Sequence, residues 1–187
     1  MNLLNLKNSL IITLFFLVSI STAQISFVKG YLVGEKGDTI KGEVKINPKK
    51  EQDYYSKVMF KDASGVQKNY KPNKVKAYGF DNNHFVSIGQ GDEVKFFKRM
   101  TNGYILLYKE AFEVVVMNET SFDYDYFLFK EGDKKMTEVK EGKFKKQLQD
   151  WMKDNAEFAE DYKDEKKLNA ESAVEVINKY NEWKKSN

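Results

Sequence analysis

The feature that most constrains the fold is a series of short segments rich in Val, Ile, Phe and Tyr, each followed by turn-forming residues. Side chains on a strand point alternately to two faces, so short alternating runs with links of hairpin length predict antiparallel strands. Ten of them in succession predict an antiparallel β-rich domain shaped as a barrel or a sandwich. The predicted strands are residues 27–33, 39–46, 57–61, 66–70, 75–80, 84–88, 94–99, 104–109, 113–117 and 124–130.

The apolar pattern changes its period after Gly142. A stripe that starts at Phe144 recurs at helical spacing, and a short second helix is predicted around Phe158 and Tyr162. Asn169 is a suitable N-cap for a third helix over residues 170–183. The chain is therefore predicted to be an α+β protein. An antiparallel β domain would occupy residues 24–140, and a C-terminal helical segment, residues 141–187, would pack against it.

The first 23 residues have the pattern of a secretory signal peptide. They contain one lysine and no acidic residue, and their apolar run over residues 10–20 ends in small residues. That run is too short to cross a bilayer, which needs about 20 apolar residues. Cleavage is predicted between Ala23 and Gln24. We therefore expect an exported protein, periplasmic or secreted, with no integral membrane segment after cleavage.

The chain lacks most of the residue types from which reactive centres are built. It has no cysteine, which excludes disulfides, thiolate nucleophiles and cysteine-ligated metals, and its only histidine is His84. No Gly-x-Ser-x-Gly elbow and no glycine-rich phosphate loop is present. We interpret His84 as a polar residue beside the turn at residues 81–83. We expect neither a metal nor another cofactor.

Charge is nearly balanced overall but unevenly distributed. Residues 24–80 contain 12 lysines and 6 acidic residues, whereas the remainder of the chain is slightly acidic. Such a positive region can face an anionic surface, for example a polysaccharide or lipid head groups, or it can simply be a solvated face. We expect no nucleic-acid partner, because there is no single-sign stripe or known nucleic-acid module.

Two groups of residues leave a functional interpretation open. Asp123 and Asp125 lie two apart near a strand, so they would share a face and could act as an acid–base pair, or they could be solvent-facing. The second group could form a sugar-stacking or anion-binding platform, or it could reflect strand propensity and core packing. It consists of Tyr54, Tyr55, Tyr70 and Tyr78 with Lys57, Lys68, Lys71 and Lys76.

Several motifs occur in order at residues 30–31, 37–44, 70–72, 75–80, 96–99, 103, 107–108, 126–130 and 180–181. Taken together in this order, they resemble those of small exported proteins of unassigned function from Bacteroidota. This resemblance covers nearly the whole chain after residue 23, implies an envelope or secreted location, and carries no catalytic residue. The sequence Asp38-Thr39-Ile40 also resembles a short O-glycosylation motif of exported proteins in that group, which makes Thr39 a candidate modification site.

Together these features favour a non-enzymatic envelope or secreted protein that binds a protein or glycan partner. The alternative is a hydrolase that acts on envelope glycans through paired carboxylates. A glycosidase requires two carboxyl groups that converge in a pocket about 5–9.5 Å apart. A binding protein should instead expose an aromatic or apolar patch.

Overall fold

The computed structural model describes residues 25–89, 93–130, 132–140, 142–155, 158 and 169–187. Its strands all belong to one antiparallel sheet. The strands are β1 (Ser26–Val33), β2 (Thr39–Ile46), β3 (Val58–Lys61), β4 (Gln67–Tyr70), β5 (Ala77–Phe80), β6 (Asn83–Ile88), β7 (Lys95–Arg99), β8 (Ile105–Val116), β9 (Glu119–Lys130) and β10 (Thr137–Glu138). The helices are α1 (Asp53–Ser56), α2 (Phe144–Trp151) and α3 (Ala173–Ser186), with a 3-10 turn at Pro72–Lys74.

The strand order across the sheet is β10-β9-β8-β7-β6-β5-β1-β2-β3-β4. Consecutive strands are neighbours except where β5 returns to pair with the free side of β1. The sheet is open, and β4 and β10 lie at its two ends. The predicted α+β class is confirmed, with a β-rich N-terminal part followed by helices.

One hydrophobic core lies under α1, on what we call the inner face of the sheet. Tyr78 is fully buried there, stacks on Phe85 with ring centroids 4.8 Å apart, and donates a hydrogen bond to the Tyr54 carbonyl. Tyr55 of α1 meets Phe85 edge-on at 5.5 Å. This core explains why a four-residue helix persists, because its aromatic side chains are held by the sheet rather than by helix propensity.

A second core joins α2 and α3 to one end of β8 and β9. It contains Ile105, Leu107 and Leu128 from the strands and Leu148 and Ile177 from the helices. Burial of such a face stabilises a short amphipathic helix that would be marginal alone. None of the helices in the described part of the chain is both long and apolar enough to span a membrane.

The structure differs from the predicted element boundaries in several places, and β9 begins at Glu119 rather than at residue 124. The predicted strands 104–109 and 113–117 form one strand, β8, because residues 110–112 continue the ladder with β9. Helix α1 and strand β10 were not predicted. The third predicted helix begins at Ala173 rather than at residue 170, although Asn169 caps the preceding turn by accepting the Ser172 N–H at 2.9 Å. Tyr162 of the second predicted helix lies outside the described residues.

Candidate functional site

A two-stranded arm extends from the sheet at the turn between β8 and β9. The ladder of β8 and β9 continues to the pair Val116 and Glu119. Within the described chain, however, β7 pairs with β8 only as far as Lys109, and the bonding of β9 to the β10 segment ends at Tyr126. We call residues 111–125 the arm. Six residues of strand at about 3.4 Å each give it a length of about 20 Å.

The tip of the arm is apolar and exposed to solvent. Met117 is 93% exposed, Val115 62%, Val116 58% and Phe122 42%. In the β8–β9 ladder Val115 pairs with Thr120 and Val116 pairs with Glu119, so these two valines point to opposite faces of the ribbon. The apolar surface therefore wraps around the tip instead of turning one side toward the core.

One of the two residues in the turn of the arm does not favour its geometry. Met117 and Asn118 have φ of 49° and 67°, as the central residues of a two-residue type I′ hairpin require. Asn tolerates this left-handed conformation, but a long unbranched residue such as Met pays about 1 kcal/mol for it. Met117 thus has an unfavourable backbone conformation and an apolar side chain exposed to water. Residues that are locally unfavourable in this way concentrate at functional sites.

A charged cluster holds the base of the arm in place. The Lys109 ammonium nitrogen lies 3.3 Å from Glu171 Oε1 and 3.9 Å from Glu51 Oε1, and 3.9 Å from the centre of the Tyr124 ring. Glu51 precedes α1 and Glu171 precedes α3. Lys109 therefore connects both segments to the two strands of the hairpin at the base of the arm.

A second notable arrangement crosses the opposite, outer face of the sheet. Tyr31 of β1 pairs with Gly79 of β5, which pairs with His84 of β6. The register of β6 and β7, continued by one residue, brings His84 beside Arg99, and Arg99 pairs with Tyr108 of β8. We call these five residues the outer row.

Gly79 makes the closest contact of the outer row possible. A Cβ atom at this position would lie 2.6 Å from the ring and hydroxyl of Tyr31. The tyrosine ring therefore crosses over the glycine, and its hydroxyl forms a hydrogen bond with His84 Nδ1. The two rings lie 5.9 Å apart at an angle of 26°.

The outer row contains a single permanent charge. Burial, with a smaller contribution from the Arg99 charge, lowers the pKa of His84 to about 4, so its ring is neutral at pH 7. Burial raises the pKa of Tyr31 and Tyr108, and Arg99 partly opposes that rise. The Arg99 guanidinium makes no ion pair and no side-chain hydrogen bond with any residue that the structure describes.

The predicted tyrosine–lysine platform is not assembled as one surface. Tyr55 and Tyr78 are buried in the core, and Tyr54 packs edge-on against Phe80. Tyr70 alone lines a cleft, of about 460 Å³, where the Lys68 ammonium lies 5.3 Å from its ring centre. For Tyr55 and Tyr78 the core interpretation is correct.

The structure places a buried glutamate opposite Asp125, one of the two aspartates considered above as an acid–base pair. Asp125 stands opposite Glu110 across the ladder, and Glu110 is buried and paired with Lys95. Burial, followed by Glu138 and Glu110, raises the pKa of Asp125, whereas Asp123 is exposed. These carboxylates do not line the clefts of about 460 and 420 Å³ that the described residues form. In the described residues, no three histidine or acidic side chains converge as a metal site.

The remaining predicted sites are placed as follows. Thr39 is exposed as the first residue of β2, where it is accessible to modification, and its O-glycosylation stays a prediction. Ala23 and Gln24 lie outside the described residues. His84, interpreted from sequence as a polar residue beside the turn, lies there as the second residue of β6, and it is also half-buried and bonded to Tyr31. Arg99, its neighbour in the outer row, is not among the candidate residues found from sequence, although its being the only arginine there is a signal.

No protein-family model, curated protein or solved structure matches this chain.

Proposed function

We propose that this protein is a non-enzymatic envelope or secreted binding protein, and that it engages a protein partner with the apolar tip of its arm. The observation that supports this proposal is the exposure of Val115, Val116 and Met117 on a hairpin that projects from the sheet. Large exposed apolar groups that are clustered, rather than scattered singly, are typical of interaction sites.

Binding of a partner would bury apolar side chains that the free arm exposes to water. Burial of a full valine or methionine side chain stabilises by about 1.5–3 kcal/mol, so each of these largely exposed residues offers roughly 1–2 kcal/mol to a partner. Met117 additionally keeps an unfavourable backbone conformation. A surface hairpin optimised only for folding would carry Asn-Gly at this turn and polar residues at the end of its strands.

The partner surface that fits the arm is positively charged and contains a strand edge or an apolar groove. Residues 110–125 contain five acidic side chains and no basic one. In the described chain, both strands of the arm present unpaired backbone groups on their outer edges, to which an extended segment can add. Such an encounter is accelerated by opposite charge and weakens with salt.

The proposal is tested by cross-linking in the envelope of the cells that make the protein. A photoreactive residue replaces Thr120, which is exposed beside the tip, and adducts are compared in three backgrounds. These are the unchanged arm, the triple variant Val115→Thr, Val116→Thr, Met117→Asn, and the control Val66→Thr. Val66 is 60% exposed but lies in the β3–β4 turn, at the other end of the sheet.

We expect a discrete protein adduct with the unchanged arm and with the control, and its loss in the triple variant. The three proteins should melt within about 6 °C of one another, because each exposed substitution seldom changes stability by more than about 0.5 kcal/mol and the triple variant carries three. An adduct that survives the triple variant, or the absence of any adduct in all three backgrounds, would contradict the proposal.

A further inference from the structure

The outer row brings together the two rarest basic residue types of the chain. Among 31 lysine and arginine residues, only Arg99 is an arginine, and His84 is the only histidine. Arginine differs from lysine in that its planar fork of N–H donors binds a carboxylate or phosphate in a bidentate manner. Lysine provides the positive charge at every other such position of the chain. The single arginine therefore indicates a position where that fork is used.

The surroundings of Arg99 leave its charge available to a ligand. Glu110 is the nearest carboxylate along β8 on the outer face, two residues from Tyr108, but it is occupied by Lys95. The neighbours of Arg99 in the row, His84 and Tyr108, are neutral at pH 7. A half-buried guanidinium with no described anionic partner gains most from a ligand that brings its own carboxylate.

Hydrogen-bonding groups suited to hydroxyls lie next to this charge. When the Tyr31 hydroxyl donates to His84 Nδ1, the neutral imidazole carries its proton on Nε2 and presents it as a donor. The rings of Tyr31 and His84 also provide flat apolar faces against which the C–H face of a sugar can pack. Neutral donors, ring faces and one guanidinium together match a polyhydroxylated ligand that bears a carboxylate.

A cleft extends the outer row beyond Tyr31. Its volume is about 420 Å³, and its lining includes Tyr31, Thr39, Lys29 and Lys41, with Asp81 as the one acidic residue. Lys41 pairs with Tyr31 across β1 and β2. Strands are about 4.8 Å apart, so the backbones of Arg99 and Lys41 are separated by four strand spacings, on the order of 19 Å. This span accommodates a chain of several sugar residues with more than one negative charge.

We propose that the outer row binds an acidic saccharide. Arg99 receives a carboxylate of the ligand, His84 and Tyr31 contact its hydroxyl groups, and Lys41 receives a second carboxylate at the far end of the cleft. This site is separate from the arm and does not depend on the partner that the arm engages.

The test is calorimetric titration of the purified protein with a trimer of galacturonic acid, with maltotriose as a neutral control and inorganic phosphate as an anion control. Arg99→Lys keeps the charge but removes the fork. Lys74→Gln removes one positive charge in the other cleft. Gly79→Ala displaces the Tyr31 ring from its place over the backbone.

We expect binding of the uronic acid trimer only, weakened about tenfold or more by Arg99→Lys, since charged hydrogen bonds contribute roughly 1.5–3 kcal/mol and 1.4 kcal/mol is tenfold. Gly79→Ala should weaken it as well, whereas Lys74→Gln and the triple arm variant should leave it unchanged. The single histidine provides an independent NMR signal, which should shift on titration with the trimer.

Three results would overturn the inference. The first is no binding of the trimer to the unchanged protein, and the second is phosphate binding as tight as trimer binding. The third is an equal loss of affinity in Arg99→Lys and Lys74→Gln, which would show a diffuse charge effect instead of a site. Thermal unfolding of each variant identifies any that fails to fold. In that case the inference is tested by whether the histidine NMR signal of the unchanged protein shifts on titration with the trimer.

Discussion

Replacement of Asn181 by alanine tests how the helical segment is attached to the sheet. Asn181 lies in α3, and its side chain is buried against the segment that connects β7 and β8. Its Oδ1 accepts the Ile105 N–H at 2.8 Å, and its Nδ2 donates to the carbonyls of Asn102 and Ile105, both at 2.8 Å. One side chain therefore satisfies three backbone groups, two at Ile105, the first residue of β8, and one at Asn102.

The expected loss of stability depends on which hydrogen bonds the three backbone groups keep after the substitution. The Ile105 carbonyl keeps a hydrogen bond from Thr101 Oγ1 at 3.1 Å, but the buried Ile105 N–H loses its acceptor. An orphaned buried donor costs about 1–3 kcal/mol, and each further lost bond about 0.5–1.5 kcal/mol. We expect Asn181→Ala to lower the free energy of unfolding by about 2–4 kcal/mol, a large share of the 5–15 kcal/mol typical of a domain.

Urea unfolding and thermal melting of the purified protein measure this loss. At about 2–4 °C per kcal/mol for a chain of this size, the melting temperature should fall by roughly 4–16 °C. The matched control is Asn187→Ala, which removes an exposed amide whose Nδ2 donates to the Trp183 carbonyl at 2.9 Å and should change stability by less than about 0.5 kcal/mol. If the two variants unfold alike, Asn181 does not hold α3 in the way described.

Three further outcomes are expected. Because the pKa of His84 in the folded protein, about 4, is below the 6.5 of an unfolded histidine, its contribution to stability is complete above pH 6.5 and is lost as the pH falls toward 4. Partial solvent exposure reduces this contribution to about 1–2 kcal/mol, and comparison of urea unfolding with His84→Gln at pH 7.5 and 4.5 should reveal it; a difference independent of pH would contradict the assignment. Gly103→Ala should destabilise by about 1–3 kcal/mol in urea, because φ is +121° there and a Cβ would lie 2.8 Å from Asn181 Cβ; an unchanged midpoint would show that the loop relaxes. Met117→Asn should slow hydrogen exchange of the arm by favouring its turn, and faster exchange would argue against type I′ geometry.

Much of the secondary structure was predictable because it depends on local pattern. Strand β2 occupies the predicted residues, and most other strands differ from prediction by one or two positions, since alternation and turn residues act within a few residues of each other. Helix α1 was not predictable in this way, because four residues carry no periodicity and their aromatic side chains are held only by distant strands.

The candidate sites depend on contacts that no local pattern encodes. Arg99 and His84 are 15 residues apart in sequence, and Tyr31 is 53 residues from His84. Tyr31 and His84 meet because β5 pairs with β1, which places Gly79 between them, and the register of β6 and β7 brings Arg99 beside His84. The same limit applies to the arm. Its valines have the pattern of ordinary strand residues, and they are exposed because the pairing of β7 with β8 and of β10 with β9 ends before the tip.

The sequence by itself determined the α+β class, most strand positions, the exclusion of cysteine chemistry and the rarity of arginine and histidine. These follow from composition and from periodicities that a short segment already contains. Only the tertiary structure decided which tyrosines are buried, which carboxylate faces Asp125, and that the single arginine and the single histidine lie side by side. The physical reason is that strand order and register are set by the packing of the whole sheet, and a shift of one residue would move every side chain to the other face.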